Sequence, residues 1–541
     1  MQNEKCEVLV VGAGPTGLMA ACLLEQCGIH VKIIDKSISA SQESRAAVMS
    51  ARSLELFASL GMSETVLAQG AITRNIDFFI SGRHQGGLDY AHCTSVDTPF
   101  RFILMIPQSR TEAIMLDRLQ SRGIHVQRGA ELVALRMLAN GAEADVVSAS
   151  EQKTIEANYI IGADGGHSTV RHLLGLGFDG EKYPQNFLLG DVHVDWQWDH
   201  ERFRIFMHGE RIGLFLPLGG NGLSRVMTTD MNGGSDNDAE QLRLETLQQA
   251  FSEAAQVPVK LSNARWLTKF STHHRIVDRY RSGHIFVAGD AAHIHSPAGG
   301  QGMNTGLQDA ANLVWKIKNV LHHHAAAPLL DSYEYERLPV ARETLAFTDK
   351  IFHLAAGQKG WRASFRDRIA PLLIGPASRL HSVQERAFRK FGQLDIRYAR
   401  GSYISDISES DSPAQPGDRA PDAQITRHQD LFDLLAGYRF TLMLLSRKPL
   451  EPQHAESYLK RLSSVRASLS QTLLLAPMTT GSHAAVISPT CNDVFTQYGL
   501  QDDSSQAVLL IRPDGFIAWR SNDDNLTAAD AWLTRFFAAP A

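Results

Sequence analysis

Short apolar runs that stop at glycine clusters recur along this chain. Glu7–Val11 (EVLVV) ends at Gly12-Ala-Gly14-Pro15-Thr16-Gly17, then come a helical stretch, Leu18–Cys27, and a second apolar run, Val31–Asp35 (VKIID). Such runs read as strands of a buried parallel sheet, so the segment predicts strand, turn, helix, strand. Tyr159–Ala163 (YIIGA) ends at Asp164-Gly165-Gly166 and Ile285–Ala288 (IFVA) at Gly289-Asp290, which predicts two more. Between them the texture changes. Arg202–His208 (RFRIFMH), Ile212–Pro217 (IGLFLP) and Ser224–Thr229 (SRVMTT) alternate, as antiparallel strands do. An amphipathic helix is predicted from near Ser50, and a strand or two with a mobile loop carrying Tyr90 and His92 within Phe79–Leu104. A long helical stretch covers roughly Asp331–Phe391, and Gly401–Ala423 has the Ser, Asp, Gly and Pro content of a linker. Beyond it, Phe440–Leu445, Ala484–Ile487 and Ala507–Ile511 are strand-like, and Arg512-Pro-Asp-Gly515 with Phe516–Trp519 reads as a hairpin.

Composition narrows the class. A chain of 541 residues predicts two or three domains. Its 44% apolar and 21% charged content is that of an ordinary globular protein. A net charge of −5 gives no reason to expect nucleic acid or an anionic membrane as partner. The start lacks the basic region and apolar core of a signal peptide, and no apolar run approaches the roughly 20 residues of a membrane span. The cytoplasm is therefore the expected location. Cys6, Cys22, Cys27, Cys93 and Cys491 form neither a CxxC pair nor an even disulfide set, and read as buried thiols in a reducing compartment.

The glycine clusters carry the candidate chemistry. Gly12 allows a tight turn, Gly14 lets the backbone approach a pyrophosphate, and Gly17 lets helix and strand pack closely. With Pro15 and Thr16 they open a helix whose free N–H groups and partial positive charge suit phosphates. Asp35, with Lys36 beside it, is placed to accept hydrogen bonds from ribose hydroxyls. That set predicts a dinucleotide, without choosing between FAD and NAD. Arg45 lies in a loop that could reach a cofactor phosphate, while Arg52 reads as half of a helix-surface ion pair. The Asp164-Gly165 turn suits a second charged ligand, although Asp-Gly is also a common turn. Asp290 could hold a ribityl chain. Pro297-Ala-Gly299-Gly300-Gln301-Gly302-Met303-Asn304 opens a long helix whose N–H groups could stabilise the anion of a reduced flavin. His293 and His295 lack further ligands at metal-site spacing, so no metal is predicted, and His322–His324 reads as a solvated turn.

Together these motifs resemble the FAD-binding set of the class A aromatic hydroxylase family typified by p-hydroxybenzoate hydroxylase, in its phenol/pentachlorophenol monooxygenase and polyketide hydroxylase branches. The resemblance extends through Arg45 and RSLELFASLG (residues 52–61), Pro107-Gln108-Ser-Arg-Thr-Glu, and Tyr333–Ala341 (YEYERLPVA). It implies that residues matching Asp35, Arg45, Gln108, Asp290 and Gly300–Asn304 contact FAD, and that the Asp164-Gly165 turn serves both FAD and NAD(P)H. Glutamate is commoner in the family where Asp35 stands; either can hold a ribose. The implied fold is α/β: a discontinuous Rossmann-like FAD-binding domain (1–75, 100–177, 283–340) and an inserted antiparallel-sheet substrate domain (76–99, 178–282). A helical segment (341–400), a linker (401–425) and a thioredoxin-like C-terminal domain (426–541) follow. Without CxxC that last domain cannot exchange disulfides, which leaves packing or dimer contact.

The implied activity is hydroxylation of a phenolic or polycyclic ring with NADPH or NADH and O2, by way of a C4a-hydroperoxyflavin. With one strand–GxGxxG–helix unit, NAD(P)H would dock transiently rather than own a domain. A homodimer would be usual for the family. Some phenol hydroxylases carry an aspartate before the helix at Ser50, whereas Ala46, Ala47 and Val48 stand here, so the acid–base group stays open. By period-2 alternation Arg204, Phe206 and His208 share one strand face. Facing the flavin, His208 would be a base and Arg204 would hold a phenolate or carboxylate; facing outward, neither would. Epoxidation, Baeyer–Villiger oxidation, halogenation or reduction on the same fold are alternatives, though the GWxWxIP of a halogenase is absent. A flavoprotein without turnover is another, against which the reduced-flavin cradle argues.

Overall fold

The computed structural model describes residues 2–40, 46–93, 95–149, 151–219, 222–231, 242–296, 298–322, 325–355, 380–399, 401, 404, 413–464, 470–479, 485–523 and 526–536. At its centre, strand Gln2–Val11 lies between Glu151–Gly162 and Val31–Asp35, with Ile285–Val287 and Val126–Arg128 beyond them, all five parallel. Val8, Leu9 and Val10 are wholly buried. Both faces of a parallel sheet are covered, which is why the run is apolar without alternation. Helix α1 (Pro15–Gln26) starts directly from the glycine turn with Gly14 as its N-cap and Pro15 in its first turn, where a missing N–H costs nothing. Helix α2 (Ala51–Ser59) is capped by Ser50, whose side chain accepts from the Ser53 N–H.

The second sheet has eight strands in the order His293–Ile294, Lys260–Val277, Phe178–Asp195, Leu223–Asp230, Arg211–Pro217, Phe203–His208, Asn75–Ile80, Arg83–Asp89. Its two faces are chemically distinct. One packs on helix α3 (Leu244–Ala255) through Phe79, Phe206, Phe215, Val226 and Phe251. The other carries Phe187, Leu189, Ile212 and Met227 with Leu214, Trp266 and Phe270, and meets Phe352 of helix Ser332–Ala355. Helix α4 (Gln301–His322) packs against α1 and joins the nucleotide sheet to the rest. Tyr90, expected in a mobile loop, is wholly buried in a short 3-10 turn, its ring 4.7 Å from that of Phe388. Among the described residues no helix is long and apolar enough to cross a membrane.

The C-terminal sheet runs Ser470–Leu475, Phe440–Ser446, Gln506–Ile511, Ile517–Ser521. Its first pair is parallel and the other two antiparallel, and helix Leu526–Phe536 follows. That strand order and polarity are those of a thioredoxin-like unit. Two expectations are corrected. The strand expected at Ala484–Ile487 is reduced, where described, to one bridge between Leu475 and Ile487, and its place is taken by Ser470–Leu475, whose polar start hid it. The expected linker is solid from Ala414 onward: Ala414, Arg419, Ala420, Asp422 and Ala423 are buried. Arg419 donates to Glu55 at 3.1 Å and to the Asp97 carbonyl at 2.8 Å. Polar composition resembled a solvated tether, but these charges are neutralised inside the protein.

Asp422 shows what such burial does. Burial pushes its carboxyl up to about 7, with Asp430 and Glu55 adding to the rise, although the Phe432 N–H donates to it at 3.0 Å. A carboxyl whose folded pKa lies above its unfolded value contributes stability below the unfolded pKa and loses it as pH rises through the folded one. The parent is therefore expected to lose stability between about pH 4 and pH 7. Asp422→Asn, which keeps an acceptor for Phe432, should escape on the order of 2–4 kcal/mol of that loss. Urea midpoints at about pH 5 and pH 8 read this, and equal pH slopes in parent and variant would contradict it.

Candidate active site

The strand Gln2–Val11 delivers Gly12 with φ +102°, and a Cβ there would stand 2.3 Å from the Ala163 carbonyl oxygen. A Cβ on Gly17 would stand 2.0 Å from the Gly12 carbonyl oxygen, whereas one on Gly14 would meet open space. The turn is thus closed behind and open in front, as a pyrophosphate needs. Thr16 fixes where this turn sits. Its hydroxyl fits only because Gly289 and Gly306 lack side chains, whose Cβ atoms would stand 2.4 and 2.3 Å from it. The first motif is thereby pressed against the last. Asp35 accepts from the Ala13 and Ser37 N–H groups at 2.7 Å each and faces Arg128 at 3.6 Å. It shapes the phosphate loop and is half-buried at its edge, with Lys36 exposed beside it. Arg45 and Pro297 lie outside the described residues.

Ser168 caps the short helix Thr169–Leu173, Asp164 accepts from the Ser168 hydroxyl and from the Val170 N–H, and Gly165 has φ +79°. Arg171 ties this turn to the last motif, donating to the Gly166 carbonyl at 2.8 Å and the Ala291 carbonyl at 3.1 Å. Asp290 is exposed in the 3-10 turn that ends strand Ile285–Val287. Gln108 opens helix Gln108–Ser121: its N–H donates to the Ala46 carbonyl at 3.0 Å and its amide to Glu112 at 2.8 Å.

The cradle itself is Gly299 (φ +82°) and Gly300 (φ +64°) followed by the first turn of α4. A Cβ on Gly300 would stand 2.7 Å from that of Val48. Gly302 and Met303 are half-buried in that turn. Two side chains of this turn are bonded to the protein itself. Asn304 accepts from the Ser50 N–H and the Ser53 hydroxyl at 2.9 and 2.7 Å, and donates to the Val48 and Gly300 carbonyls at 3.0 and 2.7 Å. An amide has two donors and two lone pairs on oxygen, so this one is saturated by the protein, and a ligand could meet only the residue's backbone. Gln301 is buried with its amide on the Gly299 and Phe391 carbonyls.

His293, which is buried, and His295, which is half-buried, form a hydrogen-bonded chain with Asp309. His293 Nε2 lies 2.6 Å from Asp309, its Nδ1 lies 2.8 Å from His295 Nε2, and Arg337 donates to Asp309 at 2.8 Å. Burial alone would raise the Asp309 carboxyl, but His293 and Arg337 outweigh it and hold it at about 2. Burial, then His293, pushes His295 well below the usual imidazole range. Among the described residues no three potential ligands are grouped as a metal site.

Arg204 and His208 are not where the hydroxylation reading needs them. Both lie on the sheet face that packs on α3, where Phe206 beside them stands 5.8 Å from Phe251. Arg204 is buried, bonded to the Asp199 carbonyl and carboxylate at 2.7 and 2.8 Å, with the Trp196 and Trp198 rings over it. His208 pairs with Ser81 at 3.1 Å. The opposite face is the one near the cradle. From it buried Arg225 holds Asp191 through two bonds of 2.7 and 2.9 Å, lies over Trp266, and donates to the Ala46 carbonyl at 3.2 Å. Alternation put Arg204, Phe206 and His208 on one face, but nothing local says which face turns inward. Arg52, expected at the surface, is also buried, paired with Glu55 at 2.7 Å.

A dinucleotide-type α/β domain with a second glycine cradle, covered by an antiparallel sheet, defines a flavoprotein oxidoreductase. The FAD binding domain family matches residues 5–348, and the aromatic-ring hydroxylase C-terminal family matches residues 413–540. The chain belongs to the FAD-dependent aromatic-ring hydroxylases. It is 31% identical over 546 residues to pentachlorophenol 4-monooxygenase of Sphingobium chlorophenolicum, covering 99% of this chain and 98% of that one. It is 31% identical over 523 residues to a flavin-dependent monooxygenase of Mycobacteroides abscessus, covering 94% and 96%. The solved anhydrotetracycline hydroxylase of Streptomyces rimosus superposes with TM-score 0.74 at 26% identity, covering 99% and 100%. The protein is an FAD-dependent monooxygenase of aromatic rings, with NAD(P)H and O2 as the co-substrates of its family.

Two substitutions separate the parts of the site. Asp290→Ala is expected to lose FAD by at least about tenfold in affinity, read by flavin content after gel filtration. His208→Ala should keep both flavin content and hydroxylation within about twofold of the parent. A turnover collapse in the second variant would return His208 to the reaction.

Proposed function

We propose that the chain hydroxylates a phenolic or fused polycyclic ring laid on the inner face of the eight-stranded sheet, opposite the Gly299–Asn304 cradle. The observation that carries this is the face itself: Phe187, Leu214, Met227, Trp266 and Phe270 offer an aromatic and aliphatic floor, and its buried Arg225 and half-buried Asp191 neutralise each other. A floor of this kind excludes water and orients a flat apolar ring. The names of the relatives agree, since one acts on pentachlorophenol and another on anhydrotetracycline. Bound FAD supplies the hydride-accepting and oxygen-activating chemistry. The protein's own share is binding and placement. Asp35 and the Gly12–Gly17 turn would hold the adenosine and pyrophosphate end, Asp290 the ribityl chain, and the N–H groups of Gly300–Asn304 the pyrimidine edge. NAD(P)H would enter transiently, because the nucleotide domain is already taken by FAD. The protein would work in the cytoplasm, which its unpaired cysteines suit, and as a homodimer, as is usual in the family.

Anaerobic stopped-flow reduction of the bound flavin by NADPH and by NADH, across a panel of phenols and polycyclic aromatics, tests the reading. One ring compound is expected to accelerate reduction by about tenfold or more and to be hydroxylated when oxygen is admitted. Reduction at one rate throughout, with no hydroxylated product, would overturn it in favour of a reductase.

A further inference from the structure

The turn between the last two strands of the C-terminal sheet reaches into the nucleotide domain. Arg512 and Gly515 close it, with Gly515 N–H donating to the Arg512 carbonyl at 2.9 Å and Arg512 N–H to the Phe516 carbonyl at 2.8 Å. Its tip lies between α2 and α4. The Asp514 carbonyl accepts from the Arg52 guanidinium of α2, and the Asp514 carboxylate accepts from Asn312 of α4 at 3.2 Å. Gly515 has φ +77°, and a Cβ on it would stand 3.0 Å from Arg52 Nη2. Arg512 forks onto Glu336 with two bonds of 2.8 Å and lies over the Trp315 ring of α4. Glu336 in turn accepts from Asn312 at 2.6 Å and Lys316 at 2.9 Å. Arg52, Asn312, Lys316, Glu336, Arg512 and Asp514 are all buried.

These contacts fall directly behind the cradle. Arg52 adjoins Ser53, whose hydroxyl bonds Asn304, and Asn312 lies on α4 about two helical turns from Asn304. A helix transmits a displacement along its axis with little loss, so whatever sets the spacing of α2 and α4 sets Gly300 against Val48. We propose that the Arg512–Gly515 turn is a wedge that positions the flavin cradle, so that the C-terminal domain tunes flavin binding and reduction rather than doing redox chemistry of its own. Arg512, Asp514 and Gly515 are on this view positioning residues, acting through Arg52 and Asn312. The inference rests on the cradle placed at Gly299–Asn304 above.

The test compares Asp514→Ala, Asp514→Asn and Gly515→Ala with the parent in FAD affinity, by fluorescence titration of the apoprotein, and in flavin midpoint potential. Asp514→Ala should bind FAD about tenfold more weakly. It should also favour oxidised over reduced flavin by a further tenfold, about 30 mV more negative for a two-electron couple. Asp514→Asn, which keeps a side-chain acceptor, should recover most of both. A loose domain contact would lower thermal stability without moving the potential. Parental affinity and potential in folded Asp514→Ala would overturn the wedge. If that variant does not fold, Gly515→Ala decides in the same way, since its added methyl meets Arg52 and its left-handed φ strains the same turn. Asp290→Ala serves as the reference: if it keeps FAD, the FAD placement proposed above fails and the wedge with it; if it loses FAD while the wedge variants do not, the wedge alone fails.

Discussion

The side-chain amide of Asn304 is the contact on which the rest of the site depends. It makes four hydrogen bonds, three of which join the first turn of α4 to the Val48–Ser53 segment while the fourth holds the Gly300 carbonyl, and a buried amide left with any one of them unmade would cost about 1–3 kcal/mol. Because it is saturated, the α4 N-terminus and the Val48 strand are held in one relation. Gly300, with Val48 where its side chain would be, can then present bare backbone N–H groups. A helix N-terminus is useful to an anion only if it is both open and fixed. Gly299 and Gly300 make it open; Asn304 makes it fixed.

Much of the fold was legible because its strands obey simple rules. Buried parallel strands show as unbroken apolar runs ending in glycine, and Thr16 pressed against Gly289 and Gly306 explains why the first and last of these motifs need small residues at once. What the sequence hid was polar material that is satisfied only in three dimensions. Gly401–Ala423 read as a tether because Ser, Asp, Gly and Pro favour solvent and turns in isolation, yet within it Arg419 finds Glu55 and Asp97 far away in the chain. Arg52 misled for the same reason: its partner Glu55 is local, but its other partner, the Asp514 carbonyl, is more than four hundred residues on.

The candidate site was legible to a similar degree and failed in a related way. Glycine positions declare themselves, since only close approach or positive φ needs them. Side-chain roles do not. Alternation put Arg204, Phe206 and His208 on one face, but a sheet with apolar layers on both sides gives no local cue to which face meets a cofactor. The cue lies in the partner helix: Phe251 and Ala254 of α3 fill the space that Gly213 leaves, and so claim the Arg204 face for packing. Asp309 shows no pattern at all in sequence, because it is defined by the His293, Arg337 and Gly289 groups that converge on it.

The junction of the C-terminal domain with the nucleotide domain is built from buried charge where an apolar contact would have sufficed for adhesion. Replacing buried ion pairs with well-packed hydrophobic residues is often neutral or stabilising, while removing one partner costs about 3–5 kcal/mol. Stability alone therefore does not account for Arg512 on Glu336, or for Asp514 bonded at once to Arg512 and Asn312. An apolar junction tolerates small slides; a forked guanidinium on a carboxylate does not, because its bonds align in one geometry. Charge at this place penalises every register except one, and the register it selects is that of the two helices whose N-terminal ends meet at Asn304. A domain whose one thiol, Cys491, has no CxxC partner can still matter to a redox site in this way, by making the distance between two helices a matter of hydrogen-bond geometry rather than of loose packing.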